Sequence, residues 1–516
     1  MSDGAAIAAS ITRARRNTLG DAFRRAALRH RDRVALVYNE RGWSFAELDR
    51  AVDRVARHLT DLGLAPGDRV AAFGRNSDAY LIAFLACARA GLIHVPVNYA
   101  LTGGELAYIL GQCGARLVLA APALEPQLAG IEMERCGRLE GGGPLDILAI
   151  ARDPAAPVGV DPDITEDSIA QIVYTSGTTA APKGAMMTHR AMLTQYASCM
   201  HEMDYAAEDR CLAALPLYHT AQMHAFTLPQ MLTGARTVLI EAPAPAEVLR
   251  LIEAERITSF FAPPTVWISL LRHPDFDRHD LSSLEKVYYG ASIMPVPVLQ
   301  ELRERLPRAG PYNCYGQTEI APVATVLRPE EHAQRPASCG RPVLNVETRV
   351  VDLDMNDVAP GTHGEIVHRS AQLLSGYWDK PAETAEAFAG GWFHSGDVGY
   401  FDAEGYLFIV DRIRDVINTG GVLVASREVE EALFTHQAVS EVAVVGLYDP
   451  KWIEAVTAFV VLRPGHAPND AELIAHARTQ LAPYKLPKQV IFVDTLPRNT
   501  AGKLLKRELR RSFRPE

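Results

Sequence analysis

Apolar and polar positions alternate along the chain with two different periods. Between Asp68 and Asn98 the sequence reads "DRVAAFG", "SDAYLIAFLACARAG" and "LIHVPVN". The outer runs are short, apolar and partly β-branched, which predicts buried strands. The middle run has a Ser-Asp start, helical apolar spacing and a terminal Gly, which predicts a helix. Strand, helix and strand in that order predict a parallel sheet with helices on its faces. Similar units recur around Val118, Val238, Phe260 and Val287. From about Arg341 the period shortens. "TRVVDLD", "GEIVHRS" and "GYLFIVD" alternate and are bounded by turn residues, so a small antiparallel region is expected. After Asp411 the order changes again: "SREVEEALFTH" as helix, "VSEVAVVGLYD" and "AVTAFVVLRPG" as strands, "DAELIAHARTQL" as helix. That is a compact α+β unit. There are no tandem repeats, and the Gly/Pro-rich stretch Gly141–Pro157 reads as a surface connection.

Composition narrows the picture. A chain of 516 residues is too long for one ordinary core. A net charge of −10 argues against a nucleic-acid binder, which needs a basic face. The most apolar stretch, Ala79 to Val97, is interrupted by Arg89 and His94 and makes a poor membrane span. At the N-terminus the charges follow the small apolar run, the reverse of a secretory signal. Seven cysteines are scattered without C-x-x-C spacing, so buried, reduced thiols in a cytoplasmic enzyme are expected.

Candidate chemistry concentrates at "YTSGTTAAPKGAMMTHR", Tyr174 to Arg190. "SIAQIVYT" before it predicts a strand and "RAMLTQYASCM" after it a helix. The loop between is rich in Gly and hydroxyls, so backbone N–H groups and side chains can converge on an oxyanion, with Lys183 adding a charge. It lacks the Walker spacing. His219 and His224 are five apart without H-E-x-x-H, so zinc is not expected.

The string resembles the Y-T-S-G-T-T-G-x-P-K-G signature of the adenylate-forming superfamily, with Ala180 in place of a Gly. Three further segments carry the resemblance in order: "YNCYGQTEIAP" (Tyr312–Pro322), "GGWFHSGDVGYFDAEGYLFIVDRIRDVINTGG" (Gly390–Gly421) and "LPRNTAGKLLKREL" (Leu496–Leu509). The resemblance is strongest to acyl-CoA synthetases and implies an α/β fold. A large N-terminal domain of doubly wound sheets with a small antiparallel, barrel-like region (1–410) would precede a small mobile α+β domain (411–516). It implies ATP, magnesium and CoA as partners of a small carboxylic acid, and leaves room for a homodimer. Making an acyl-adenylate brings two anions together, so charge must be neutralised and the attack aligned.

By this resemblance Thr175, Ser176, Gly177, Thr178, Thr179 and Lys183 would wrap the β- and γ-phosphates. Glu319, with Thr175, would hold magnesium, and Thr318 would reach the α-phosphate within the segment Gly316, Gln317. Tyr315 and the strand end Gly290, Ala291 would sandwich the purine, where little side chain lets backbone approach, and Asn313 would pair with its edge. Asp397 and Arg412 would hold the ribose. Lys503 would swing in over the α-phosphate during adenylation. Asp411 would be the hinge, acting through its backbone, and Gly420 and Gly421 would let pantetheine pass after rotation. Leu423 and Ser426 depart from the usual Asn and Pro there. The acceptor could therefore instead be a carrier protein, an amine or another nucleophile.

"LPLYHTAQMHAFTLPQML" (Leu215–Leu232) is the acid-side segment, with His219 beside the carboxylate. It offers no Asp to pair with an α-ammonium, which disfavours amino acids. Met223, Phe226, Val266, Trp267 and Ile320 are expected to line an apolar pocket for a fatty or aromatic acid.

Overall fold

The computed structural model describes residues 3–175, 181–419, 422–500 and 504–513. The first sequence unit folds as expected. Strands Arg69–Phe73 and Ile93–Val97 pair in parallel, and helix Asp78–Ala90 crosses between them. Ser77 starts that helix by accepting from the Tyr80 N–H, and Gly91 ends it in the left-handed region at φ 73°. Every residue of this helix is buried, which is why its apolar run is not one-sided. The two polar interruptions are accommodated differently, and His94 keeps its Nε2 buried without a hydrogen-bond partner. Arg89 pairs with Asp49 at 2.6 Å and Asp53 at 3.0 Å, whereas His94 accepts no charge and sits in a buried polar chain.

Two large sheets form the N-terminal part. The first has six strands in the order Cys136–Arg138, Leu117–Ala120, Arg69–Phe73, Ile93–Val97, Ile169–Thr175, Lys183–Thr188. The second has nine, and its parallel centre runs Gly310–Gly316, Lys286–Gly290, Ser259–Phe261, Arg210–Ala213, Arg236–Leu239 and Val34–Tyr38. The strands expected at Val118, Val238, Phe260 and Val287 are all in these parallel ladders. A four-stranded antiparallel sheet follows, Val346–Val351, Gly364–Ser370, Phe393–Phe401 and Leu407–Arg412. The C-terminal unit is a five-stranded sheet carrying helices Ser426–Phe434, Asp470–Arg478 and Lys506–Ser512.

Three local features differ from the sequence reading. Residues Lys183–Thr188 do not run as loop into helix. They form an edge strand antiparallel to Ile169–Thr175, with Tyr174 opposite Gly184 and Thr175 opposite Lys183. Residues Ala221–Thr227 form a π-helix, a rare geometry often found at functional sites. Of the seven cysteines, which are all free thiols, Cys136 is exposed and the other six are buried. No helix among the described residues is long and apolar enough to cross a membrane.

Candidate active site

The hairpin Ile169–Thr175/Lys183–Thr188 brings both ends of the first loop to one place. Residues Ser176, Gly177, Thr178, Thr179 and Ala180 lie outside the described residues, but their flanks do not. Thr175 Oγ1 donates to Glu319 Oε1 at 3.2 Å, although the two are 144 positions apart. Tyr377 donates its hydroxyl to the same oxygen at 3.2 Å, and Lys183 Nζ stands 4.7 Å from the centre of the Tyr377 ring. Tyr377 was not singled out in the sequence. It arrives because residues 374–378 stitch themselves to the hairpin and to the Glu319 turn. Leu374 N–H donates to Glu319 O, Ser375 N–H to Met186 O, and Trp378 N–H to Gly184 O. "SGYWD" carries no periodicity that would reveal this docking, because its partners are distant backbone.

Glu319 is buried, in a short 3-10 turn Thr318–Ile320. An acidic oxygen met by two hydroxyls is a hard-donor site, which suits magnesium. The described residues hold no group of three or more His, Cys, Asp or Glu that could cage an ion. A magnesium at Glu319 would therefore share phosphate and water oxygens, and would neutralise phosphate charge there. Gln317 Nε2, two residues away, is buried without a hydrogen-bond partner and is a donor fit for a ligand oxygen. Thr318 Oγ1 meets Thr220 Oγ1 at 3.2 Å, so this turn touches the acid-side segment directly.

The nucleoside side is built by three strand ends. Tyr315 donates to Asp397 Oδ2 at 2.8 Å, and Arg412 Nε lies 3.3 Å from Asp397 Oδ1. Asp397 and Arg412 face each other across the antiparallel ladder Phe393–Phe401/Leu407–Arg412. Burial, then the neighbouring Asp397 charge, hold the Tyr315 phenol well above its ordinary pKa, so it keeps its proton to donate. Asn313 spends its amide nitrogen on Ser338 O at 2.8 Å, so the expected contact with the purine edge would fall to its carbonyl oxygen. Ala291 sits at φ 63°, a conformation that costs a non-glycine residue about 1–2 kcal/mol. Strain at this strand end marks it as a place held open by its surroundings. The neighbouring Gly290 has a reason beyond the purine: a Cβ there would lie 2.3 Å from Cys314 O of the next strand. At Gly316 a Cβ would lie 1.9 Å from Pro322 O, so that glycine too is demanded by backbone packing.

The acid-side segment splits. Phe226 stacks on Phe261 with ring centres 4.0 Å apart, and it joins Ile320, Tyr288 and the partly buried Val266 and Ala221 in one apolar cluster. Met223 is fully buried in a different cluster, with Tyr80, Phe84 and Leu217. The π-helix turns these side chains, three positions apart, to opposite sides. Trp267 is also core: it is buried and donates Nε1–H to Tyr288 O at 3.1 Å. Of the expected pocket set, Phe226, Val266 and Ile320 share one apolar cluster with Ala221, Ala225 and Tyr288, whereas Met223 and Trp267 each pack in another. His219 lies at the start of this segment, its N–H donating to Pro216 O at 3.1 Å. His224 is different. It is buried, bonded to Tyr196 at 2.6 Å and Gln171 at 2.9 Å, and Gln171 continues to His94 at 3.1 Å. Burial lowers His224 and His94 to about 3 each, so both rings are neutral structural groups.

Asp411 also differs from expectation. Its carboxylate is buried and fully engaged: Oδ2 accepts from Ser426 N–H at 2.6 Å and Ser426 Oγ–H at 2.7 Å, and Oδ1 accepts from Arg412 N–H at 2.8 Å. Ser426 opens helix Ser426–Phe434, so the carboxylate also faces the positive end of that helix. A Pro, usual at this position by the resemblance, has no N–H to give. Lys506 completes the cluster, donating to Ser426 Oγ at 2.6 Å and pairing with Glu430 at 2.8 Å. Burial alone would lower the Lys506 pKa, but the Glu430 and Asp411 charges outweigh it and raise it. The expectation that Asp411 acts through its backbone alone did not foresee this network around its carboxylate. Gly420, Gly421 and Lys503 lie outside the described residues.

With this geometry in view, comparison with known proteins is informative. A model of the AMP-binding enzyme family matches residues 23–378, and one of the AMP-binding enzyme C-terminal domain matches residues 428–503. The chain belongs to the AMP-binding, adenylate-forming enzymes. It is 38% identical over 470 residues to a feruloyl-CoA synthase of Amycolatopsis sp, covering 91% of this chain and 94% of that one. It is 34% identical to the fatty acid–[acyl-carrier-protein] ligase ScoC of Streptomyces coeruleorubidus, over 93% of each. Among solved structures, the anthranilate CoA ligase AuaEII in complex with anthranoyl-AMP superposes with a TM-score of 0.90 at 27% identity, covering 97% of this chain and 98% of that one. The family's two parts thus coincide with the large N-terminal sheets and the C-terminal α+β unit.

Proposed function

We propose that this site activates an uncharged apolar carboxylic acid, aromatic or fatty, and passes the acyl group to CoA. The enzyme is an AMP-forming acid–thiol ligase of the acyl-CoA synthetase branch, using ATP, magnesium and CoA. The observation that carries the site assignment is the meeting of Thr175, Glu319 and Tyr377, which joins the phosphate-loop hairpin to the "YGQTE" turn.

The roles are those the family resemblance implies, supported where described residues meet. Thr175 and Lys183 face the pyrophosphate end of ATP, the role the resemblance also gives residues 176–179, and Glu319 holds magnesium there. Thr318 and Gln317 donate towards the α-phosphate, where the acid oxygen attacks and pyrophosphate leaves. Tyr315 supplies a flat face to the adenine, opposite Gly290 and Ala291, and Asp397 with Arg412 grips the ribose. His219 stands by the carboxylate, and Lys503 supplies a positive charge to the α-phosphate. The acid tail lies against Ala221, Ala225, Phe226, Val266, Tyr288 and Ile320. Against these apolar groups a second carboxylate or an ammonium buried without a partner would cost several kcal/mol. After adenylation the C-terminal unit turns at Asp411, and Gly420 and Gly421 admit the thiol. We place the enzyme in the cytoplasm, in keeping with seven free thiols. Its assembly is the homodimer that the sequence resemblance allows, which light scattering would confirm or dismiss.

The test is pyrophosphate release over a panel of aryl, straight-chain and dicarboxylic acids, with and without CoA. Acid-dependent release with CoA thioester as product supports the reading. A second reading, transfer to a carrier protein or an amine, is favoured by Leu423 and Ser426 in the acceptor segment. It predicts acid-dependent release with no CoA thioester. A dicarboxylate or α-amino acid emerging as best substrate would refute the pocket. Lys503→Ala should slow acyl-AMP formation by on the order of 10²-fold while sparing thioester formation from supplied acyl-AMP. Equal loss in both steps would sink its role.

A further inference from the structure

Lys503 lies outside the described residues, but both ends of its loop are described. At the base, Arg498 and Leu504 form a bridge and Leu505 N–H donates to Pro497 O at 2.8 Å. Thr500 reaches out of the C-terminal unit altogether. Its Oγ1 donates to Asn98 Oδ1 at 3.3 Å and is hydrogen-bonded to the Tyr218 hydroxyl. A threonine hydroxyl carries one hydrogen. With that hydrogen on Asn98, Tyr218 must be the donor to Thr500.

Asn98 and the Tyr218 ring each have further partners within the N-terminal part. Asn98 Oδ1 also accepts from Ala100 N–H at 3.0 Å, and Leu101 N–H donates to Asn98 O at 3.0 Å, closing a turn. The Tyr218 ring packs edge-on to Tyr99 at 5.7 Å, and Arg75 lies 4.9 Å over Tyr99 while pairing with Glu241 at 3.2 Å. Burial pushes the Tyr218 phenol up to about 12, with the Thr500 contact acting the other way, so it keeps its proton at neutral pH. The two contacts join points 402 and 282 positions apart, between the N-terminal sheets and the C-terminal unit. They exist only while that unit is seated as it is here, and any rotation at Asp411 breaks them.

We propose that Asn98 and Tyr218 are positioning residues that form a latch for Thr500, holding the C-terminal unit in the arrangement seen here, which serves adenylation. The inference rests on the assignment of Lys503 to adenylation. It adds a device expected to act on one half-reaction alone, because a turn of the C-terminal unit would part Thr500 from both groups. Neither residue belongs to the signature segments, and neither need touch a substrate. Tyr218 differs from phenylalanine here by a single useful hydrogen.

The test uses the full-length enzyme with Tyr218→Phe, Thr500→Val and the double variant, all near-isosteric. Acyl-AMP formation is followed as single-turnover pyrophosphate release without CoA, and thioester formation is followed from supplied acyl-AMP. Tyr218→Phe should slow the first by about 5-fold, the scale of one neutral hydrogen bond, and leave the second unchanged or faster. Because both substitutions remove the same bond, adding Tyr218→Phe to Thr500→Val should cost less than 2-fold more. Hydrogen exchange of the 498–505 backbone should quicken in each variant. Equal slowing of both half-reactions, multiplicative effects in the double variant, or unchanged exchange would each overturn the latch. Lys503→Ala run alongside separates the two ideas. If it spares acyl-AMP formation while Tyr218→Phe still quickens exchange, the latch stands and the Lys503 assignment falls.

Discussion

Asp411→Ala is the perturbation on which the structure and the sequence expectation disagree most. A hinge that acts through its backbone should tolerate loss of the carboxylate. The carboxylate instead accepts three hydrogen bonds at 2.6, 2.7 and 2.8 Å, two of them from Ser426 at the start of a helix. Hydrogen bonds to a charged acceptor contribute roughly 1.5–3 kcal/mol each, and a carboxylate at a helix N-terminus up to about 2 kcal/mol. These terms overlap, so the sum overstates the loss. Breaking a buried charged network typically costs about 3–5 kcal/mol, and that is the figure expected here. Asp411→Asn should fall between, because its NH2 must face one of the three donors. The assay is hydrogen exchange in the helix Ser426–Phe434 at fixed pH. A loss of about 3–5 kcal/mol should speed exchange there by on the order of 10²–10³-fold, with the parallel sheets of the N-terminal part unaffected. Thioester formation, which needs a controlled rotation, should suffer with it. An Asp411→Ala protein whose helix exchanges within a few-fold of the parent, and which keeps both half-reactions, would refute the reasoning.

Other substitutions and conditions test the remaining assignments. Glu319→Gln should keep the fold, since its amide oxygen can still accept from Thr175 and Tyr377, yet lower acyl-AMP formation by on the order of 10²-fold; normal pyrophosphate release at ordinary magnesium would remove the ion from Glu319. Met223→Ala should destabilise the fold by about 2–5 kcal/mol without moving acid preference, whereas Phe226→Ala should shift kcat/KM towards bulkier acids; the reverse pattern would restore Met223 to the pocket. His94 and His224 are neutral in the fold and lowered to about 3 from 6.5, so the unfolded chain binds the extra protons. Their contribution is whole above pH 6.5 and is lost as pH falls towards 3, on the order of 4 kcal/mol per ring. Tm measured from pH 7 to 4 should fall less steeply in His224→Gln than in the parent, and identical slopes would count against the buried pair.

The sequence by itself determined the order of the elements, the parallel sheets and the family. These depend on local periodicity and on contiguous strings, and both survive without knowing what lies across the fold. Ser77 and Gly91 bound a helix wherever the chain sits, and "YGQTE" is a turn with an acid at a fixed offset. Tertiary structure alone decided which side chains meet. Met223 and Phe226 look alike in sequence, but a π-helix sends them into different cores. Tyr377 joins Glu319 and Lys183 only because residues 374–378 pair with a strand that the sequence reading took for a loop. Asp411 reads as a hinge from its place in the sequence, and only the fold brings the Ser426 N–H and hydroxyl to its carboxylate from 15 positions away. Thr500, in a tail far from everything else in sequence, finds Asn98 and Tyr218. Each of these contacts depends on backbone geometry set by partners distant in the chain, and hydrogen-bond direction at that range is not written in local pattern.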